Sequence, residues 1–128
     1  MKNKLVYVEL KSGFGNDGPA WIGKAEFSKS GRTIYYNGKA FKSMKGDGIS
    51  GNYFDIETED EYWISGVKKN GEDRHWAGSG KVMIDASVIE EYLQLIGKRE
   101  LDKRQFERTT LQQTDKSKFA GIENKKFN

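Results

Sequence analysis

The stretch KKNGEDRHWAGSG, residues 68–80, holds the residue types in this chain that are best suited to chemistry. It contains His75, the only histidine, close to Asp73 and Arg74. In an enzyme His75 would act as a general acid or base, Asp73 or Glu72 would orient it, and Arg74 would hold an anion. Alternate residues of an extended strand share a face, so Asp73 and His75 can lie together. The spacing therefore permits an acid–base pair, but it identifies no nucleophile.

The same residues also fit recognition without catalysis. Arginine and tryptophan are enriched in binding hot spots, so this stretch predicts a compact ligand-binding patch of Lys68, Lys69, Arg74, His75 and Trp76. The architectural alternative is that Trp76 fills the core while Arg74 and His75 bond backbone groups of neighbouring glycine loops, as polar side chains near turns commonly do.

Two function classes follow from these interpretations. The first is a non-enzymatic binding or interaction module that recognises an anionic ligand or a protein partner through residues 68–80, with the glycine loop 46–52 beside them. The alternative is a small hydrolase or lyase centred on His75 and Asp73. Neither class is fixed by the sequence, because residue types alone do not identify the ligand.

Familiar cofactor and metal motifs are incomplete in this chain. The run GFGNDG at 13–18 matches a dinucleotide glycine pattern, but Pro19 and a strand-like alternation follow where that site needs a helix. The run GDG at 46–48 resembles the opening of a thiamine-diphosphate motif, with Asn70 as the nearest magnesium partner, yet a hairpin pattern separates them. One histidine and no cysteine make a poor ligand set for zinc. The sequence therefore predicts no cofactor and no metal site.

The elements that must position residues 68–80 have mostly the two-residue period of strands. Asn37-Gly38 lies between two strand-like runs and predicts a type I′ hairpin. Residues 52–67 predict a second hairpin that turns at TED and returns as EYWISGV. Further strands are predicted at LVYVEL (5–10), WIGKAEF (21–27) and KVMID (81–85). Short strands separated by glycine turns indicate a mainly β domain, either an antiparallel curved sheet or a small open barrel.

One C-terminal amphipathic helix is predicted over about residues 86–96, where apolar residues recur at three- and four-residue steps. Ser87 and Glu90 have the spacing of a capping box, Asp85 is a rival N-cap, and Gly97 is the expected stop. We expect this helix to pack across an opening or an edge of the sheet. Residues 105–111 predict either a last strand or a short helix.

Length and composition limit the domain organisation and the location. The 128 residues suit a single domain, with a β-rich body over 1–111 and a polar, mobile tail over 112–128. Cysteine is absent, and the apolar runs are too short for a signal peptide or a bilayer span, so we expect a soluble cytoplasmic protein without a membrane partner. Residues 98–128 carry nine Lys/Arg against five Asp/Glu, which is weak evidence for a nucleic-acid partner.

A second argument for nucleic acid comes from the aromatic residues. If they formed one sheet face surrounded by basic side chains, they could stack single-stranded bases. The competing interpretation is that they fill the interior of a small barrel. The residues concerned are Trp21, Tyr35, Tyr36, Tyr53, Tyr62 and Trp63.

Several stretches together resemble a known family over about residues 3–108. They are LVYVELKSG, GPAWIG, ISGNYFDIET and EYWISGVKKNGEDRHWAGSG, with the helix that follows. The family consists of small uncharacterised bacterial proteins, some of which carry the name 1-deoxy-D-xylulose-5-phosphate synthase. That enzyme is a large thiamine-diphosphate protein of several α/β domains, whereas this chain lacks its size, its alternating pattern and its cofactor motif. The resemblance thus implies a small β domain and brings no catalytic residues.

Overall fold

Strands dominate the computed structural model, which describes residues 2–14, 17–44, 51–74 and 80–119. Within these residues there are eight strands and one α-helix. The strands are β1 (Lys2–Leu10), β2 (Ala20–Phe27), β3 (Thr33–Tyr36), β4 (Lys39–Ser43), β5 (Tyr53–Asp55), β6 (Glu61–Gly66), β7 (Val82–Asp85) and β8 (Phe106–Thr109).

The first six strands form a closed antiparallel barrel. Each pairs with the next along the chain, and β1 also pairs with β6, so that Val8 lies opposite both Trp21 and Ile64. The prediction of a mainly β, barrel-like domain is confirmed, and the barrel is closed. Closure satisfies the backbone groups at the edges of β1 and β6, which would otherwise be open to pairing with another chain.

The turns between the barrel strands follow the local sequence. Asn37 and Gly38 have φ angles of 51° and 77°, the left-handed conformations that a type I′ hairpin between β3 and β4 requires. The predicted second hairpin joins β5 to β6, and its turn is held by Asp55, whose carboxylate accepts the backbone N–H of Glu57 at 2.8 Å. Both predicted hairpins are therefore confirmed.

The last part of the sheet departs from the predicted antiparallel arrangement. β7 pairs in parallel with β2 over Ala20–Ile22, and β8 pairs in parallel with β7. A 3₁₀ turn (Ala86–Val88) and α1 (Ile89–Ile96) connect these two strands. Parallel neighbours need a long crossover connection, and the helix supplies it. None of the helices in the described ranges is long and apolar enough to cross a membrane.

The helix boundaries select between the two caps that the sequence offered. Asp85 caps the 3₁₀ turn, since its Oδ1 accepts the N–H of Ser87 at 3.1 Å. The capping box of Ser87 and Glu90 is not used, because the residue preceding α1 is Val88, which has no capping side chain. Gly97 ends the helix with a left-handed φ of 70°, as predicted.

Two hydrophobic clusters lie on opposite faces of the β1–β2 pair. The barrel interior contains Val6, Val8, Ala25, Ile34, Tyr36, Phe41, Tyr62 and Ile64. The outer face continues onto β7, which pairs with β2, and it packs against the helix in a cluster of Tyr7, Ala20, Ile22, Val82, Ile84, Val88, Ile89 and Tyr92. This second layer buries the helix face that the sequence predicted to be apolar, and it sets the floor of the candidate site.

The aromatic residues that were expected to stack single-stranded bases do not form one exposed sheet face. Tyr35, Tyr36 and Tyr62 are buried, and Trp21 packs against the barrel interior. Trp63 is the largely exposed member of the set, at 42%. Large side chains are needed to fill a small barrel, so the aromatic residues are mainly core.

Contacts with the barrel continue past the predicted domain boundary at Leu111. The C-terminal segment, residues 112–119, ends in a 3₁₀ turn (Lys116–Phe119) whose Phe119 is buried beside Tyr35 and Ala40. Thr114 Oγ1 accepts the N–H of Gly38 at 2.8 Å. The polar composition of residues 112–119 did not indicate this contact, because the single ring of Phe119 is enough to dock the segment on the barrel.

Gly18 permits a close approach between two backbone segments. A Cβ at this position would overlap the carbonyl oxygen of Leu10, which belongs to the paired strand β1 and cannot move away easily. We expect Gly18→Ala to lower the free energy of unfolding by about 1–3 kcal/mol, measured by urea denaturation. Gly66→Ala is the matched control, because nothing lies within 4 Å of a Cβ there. Equal losses in the two variants would contradict the close approach.

Candidate ligand-binding pocket

A pocket of about 540 Å³ lies on the outer side of the barrel. Ile22 of β2, Val82 of β7, Tyr92 of α1 and Phe106 of β8 contribute to its wall, together with Lys68 and residues 71–74 of the β6–β7 connection. Volumes of about 300–1,000 Å³ are typical of small-ligand sites. The fold thus brings the chemically rich stretch of the sequence to a concave surface.

Local hydrogen bonds shape residues 68–74 into a compact turn. The backbone N–H of Lys68 donates to Asp73 Oδ1 at 2.8 Å, and the N–H of Gly71 donates to the Lys68 carbonyl at 3.1 Å. Gly71 has a φ of 74°, a conformation that favours glycine, and it lies against the Tyr92 hydroxyl. The turn therefore holds Asp73 at the pocket through bonds within its own segment.

Arg74 attaches this turn to the barrel. Its guanidinium donates to the Gly18 carbonyl at 2.8 Å and forms an ion pair with Glu9 at 3.4 Å. Glu9 is almost fully buried in β1, where it also accepts from the Tyr7 hydroxyl and from Lys11 at 2.7 Å. Since Gly18 belongs to a glycine loop, the architectural interpretation of Arg74 is the one that the contacts support.

Asp73 and Tyr92, which line the pocket, each carry a buried polar atom without a partner among the described residues. Among the described residues, neither Asp73 Oδ2 nor the Tyr92 hydroxyl has a hydrogen-bond partner, although both atoms are buried. Burial raises the pKa of the Asp73 carboxyl, and the Lys68 N–H and ammonium partly offset this effect. Burial and the charge of Asp73 raise the pKa of Tyr92, so the phenol stays protonated at neutral pH. The pocket therefore offers one acceptor from Asp73 and a hydroxyl that can donate or accept.

The charged residues around the pocket are of both signs. Lys68 and Glu72 are exposed, and Arg104 pairs with Asp102 at 3.3 Å while its side chain is 91% exposed. Such a surface pair is worth about 0–1 kcal/mol, so a ligand can displace it. Two cationic groups can therefore turn toward a bound anion without breaking a buried contact.

The predicted site residues are placed unequally. Lys68, Asp73 and Arg74 line the pocket, whereas Lys69 is exposed and does not contribute to its wall. His75 and Trp76 lie outside the described residues, so the pairing of His75 with Asp73 stays a prediction. Most of the 46–52 loop also lies outside them. No cluster of three or more potential metal ligands occurs within the described ranges.

Sequence reasoning missed the residues that the fold brings in from a distance. Tyr92 was assigned to the apolar face of the helix, and its hydroxyl gave no separate signal. In β1, Glu9 lies on the same face as Tyr7, and Val6 and Val8 lie on the other face. The alternation of this strand therefore puts a carboxylate in a run of apolar residues. A glutamate in such a position is a detectable signal, because an outward-facing strand residue is buried only if another element covers it.

Comparisons of the chain with protein-family models, curated proteins and solved structures find no match.

Proposed function

We propose that this protein is a binding module that recognises an anionic group, from a small ligand or a protein partner, in the pocket beside residues 68–74. The observation that carries the proposal is the position of two exposed cations, Lys68 and Arg104, at the wall of a preformed pocket. Ligand pockets are commonly preformed and lined by apolar groups with a few placed polar ones.

Rigid support for one wall favours binding. Arg74 joins the turn to β1 through Glu9 and to the preceding loop through Gly18, so the turn does not have to be ordered when a ligand arrives. Pre-organisation lowers the entropic cost of binding. Lys68 and Arg104 contribute exposed side chains to this wall, so they can adjust to the ligand.

The proposal is tested by titrating the isotope-labelled full chain with inorganic phosphate and with an N-acetylated amino acid, and following the amide shifts by NMR. We expect shifts at residues 68–74, 80–84 and 104–106 that weaken as salt is added, because the ligand's charge is screened. Lys68→Met/Arg104→Met should weaken binding by about tenfold or more, since charge-assisted hydrogen bonds are lost.

The matched control removes the same two charges elsewhere. Lys98→Met/Arg99→Met changes exposed residues that follow α1 and do not line the pocket. This variant should keep the affinity of the unmodified chain. If both double variants lose affinity equally, or if neither anion shifts the pocket amides, the proposed function is wrong.

A further inference from the structure

We infer that the ligand of this pocket carries a protonated amine as well as its anionic group, as apolar amino acids and short peptides do. The inference deepens the proposed function and rests on it. It concerns Asp73 and Tyr92, which the anion-binding proposal leaves without a role.

Two buried polar atoms at the pocket, Asp73 Oδ2 and the Tyr92 hydroxyl, have no partner among the described residues. Tyr92 lines the pocket and is fully buried, and its hydroxyl has no hydrogen-bond partner among the described residues. Asp73 Oδ1 is already occupied by the Lys68 N–H, whereas Oδ2 accepts no bond from any described residue. Buried polar atoms nearly always have partners, so these two call for a ligand group that can donate hydrogen bonds. An ammonium group has three donors and can serve both.

The second feature of the pocket is its balance of charge. Among the described residues, five charged side chains line the pocket, namely Lys68, Glu72, Asp73, Arg74 and Arg104. Arg74 is already held by Glu9 and by the Gly18 carbonyl, which leaves Lys68 and Arg104 as the cations and Glu72 and Asp73 as the carboxylates that a ligand can meet. A ligand with negative charge alone would pair with the cations and place its charge near Asp73 and Glu72. A zwitterion can place its negative group near the two cations and its ammonium near the two carboxylates. Such an arrangement selects against ligands that would bring like charges together.

The third feature is the apolar part of the wall. Ile22 and Val82 are buried in the outer cluster, and Phe106 packs against Tyr92 with the ring centres 5.7 Å apart. These side chains face the same pocket as the charged groups. They suit an aliphatic side chain of the ligand, and the volume of about 540 Å³ leaves room for a dipeptide.

An ammonium beside Asp73 would also reverse the effect of burial on that carboxyl. Burial raises the pKa of Asp73 in the ligand-free protein, whereas a nearby positive charge favours the ionised form. The ligand would thus compensate a carboxylate that the turn holds in place through Lys68. This makes Asp73 a recognition residue whose geometry is fixed before the ligand binds.

Three matched probes test the inference by isothermal titration calorimetry on the full chain. They are leucyl-leucine, its N-acetyl derivative without the ammonium, and its C-terminal amide without the carboxylate. We expect leucyl-leucine to bind about tenfold or more tightly than either blocked form, because each blocked form loses charge-assisted bonds. The N-acetyl derivative also serves as an anionic probe for the proposed function.

Two substitutions isolate the ammonium contact. Asp73→Asn keeps an Oδ1 acceptor for the Lys68 N–H, and Tyr92→Phe removes only the hydroxyl. Either variant should bind leucyl-leucine at least about fivefold more weakly, and neither should weaken binding of the N-acetyl derivative by more than about twofold, because that derivative has no ammonium to lose. Glu90→Gln removes an exposed carboxylate from the helix outside the pocket and should change neither affinity.

The outcomes separate the two ideas. Equal binding of leucyl-leucine and its N-acetyl derivative, with no effect of Asp73→Asn, overturns the inference and leaves the anion-binding function in place. Equal binding of leucyl-leucine and its amide, with no effect of Lys68→Met/Arg104→Met, overturns the proposed function. If none of the probes binds, the inference is overturned, and the phosphate titration decides the proposed function by itself.

Discussion

Replacing Glu9 with alanine is expected to lower the free energy of unfolding by about 3–5 kcal/mol, the range found when one partner of a buried ion pair is removed. The Glu9 side chain is 2% exposed, and it lies between two cations, Arg74 at 3.4 Å and Lys11 at 2.7 Å. Both cationic side chains are themselves largely buried. Without Glu9 their charges remain away from water without the carboxylate that compensates them, and the Tyr7 hydroxyl loses its acceptor.

The measurement is urea denaturation with an unchanged slope, so that a shift in midpoint reports stability. Glu26→Ala is the matched control, because Glu26 also forms an ion pair at 2.7 Å, with Lys116, but both side chains are substantially exposed. We expect that control to lose less than about 1 kcal/mol. Equal losses in the two variants would show that burial does not determine how much the Glu9 ion pairs contribute to the free energy of unfolding.

The same substitution should loosen the turn that forms the pocket wall. Arg74 is the link between this turn and β1, so removing its partner should raise the rate of amide hydrogen exchange at Gly71 and Glu72 more than at barrel residues such as Val8. Local opening of this kind reports the stability of one segment rather than of the whole fold. Glu9 is therefore expected to contribute both to the stability of the core and to the position of the turn that forms the pocket wall.

The barrel itself could be predicted because its signals are local. The alternation in WIGKAEF placed Trp21, Ala25 and Phe27 on one face and Ile22 on the other, and the structure puts these faces on the barrel interior and the outer cluster. Asn37-Gly38 fixed the β3–β4 hairpin because few residue pairs tolerate positive φ at both positions. A two-residue period and a turn with a steric requirement are both visible in one sequence.

Closure and the parallel extension could not be predicted in the same way. The pairing of Val8 with Ile64 joins strands that are far apart in the chain. The residues of either strand do not indicate which other strand it pairs with. The parallel pairing of β7 and β8 depends on which side of the sheet α1 crosses. The sequence indicated a helix between two strand-like runs, but it did not indicate that the runs were neighbours.

The candidate site shows the same division between local and distant information. Lys68, Asp73 and Arg74 were found because they are close together in the chain and chemically distinctive. Tyr92 and Arg104 reach the same pocket from later elements, and only the β7–α1–β8 crossover brings them there. Residue type therefore indicated where chemistry could occur, while the tertiary fold determined which groups take part in it.

Replacing Phe119 with alanine is expected to lower the free energy of unfolding by about 3–5 kcal/mol, the usual cost of truncating a buried phenylalanine. Phe119 is 1% exposed and packs against Tyr35, with ring centres 6.5 Å apart, and against Ala40. Its loss would leave a cavity on the outer face of the β3–β4 hairpin. It would also release the remaining contacts of residues 112–119, since the hydrogen bonds of Gln112 and Thr114 to Asn37 and Gly38 are partly exposed.

Thermal and urea denaturation of Phe119→Ala should therefore be compared with Phe14→Ala, which removes the same side chain from a position that is 49% exposed. The control should change stability by less than about 0.5 kcal/mol, as exposed substitutions generally do. If Phe119→Ala loses stability in the expected range while Phe14→Ala does not, the folded domain extends to Phe119 rather than ending at Leu111. A segment that stabilises the barrel through a buried ring is part of its core. Equal stability of the two variants would instead mean that the docked segment contributes nothing to folding, and the domain would end where the sequence alone predicts.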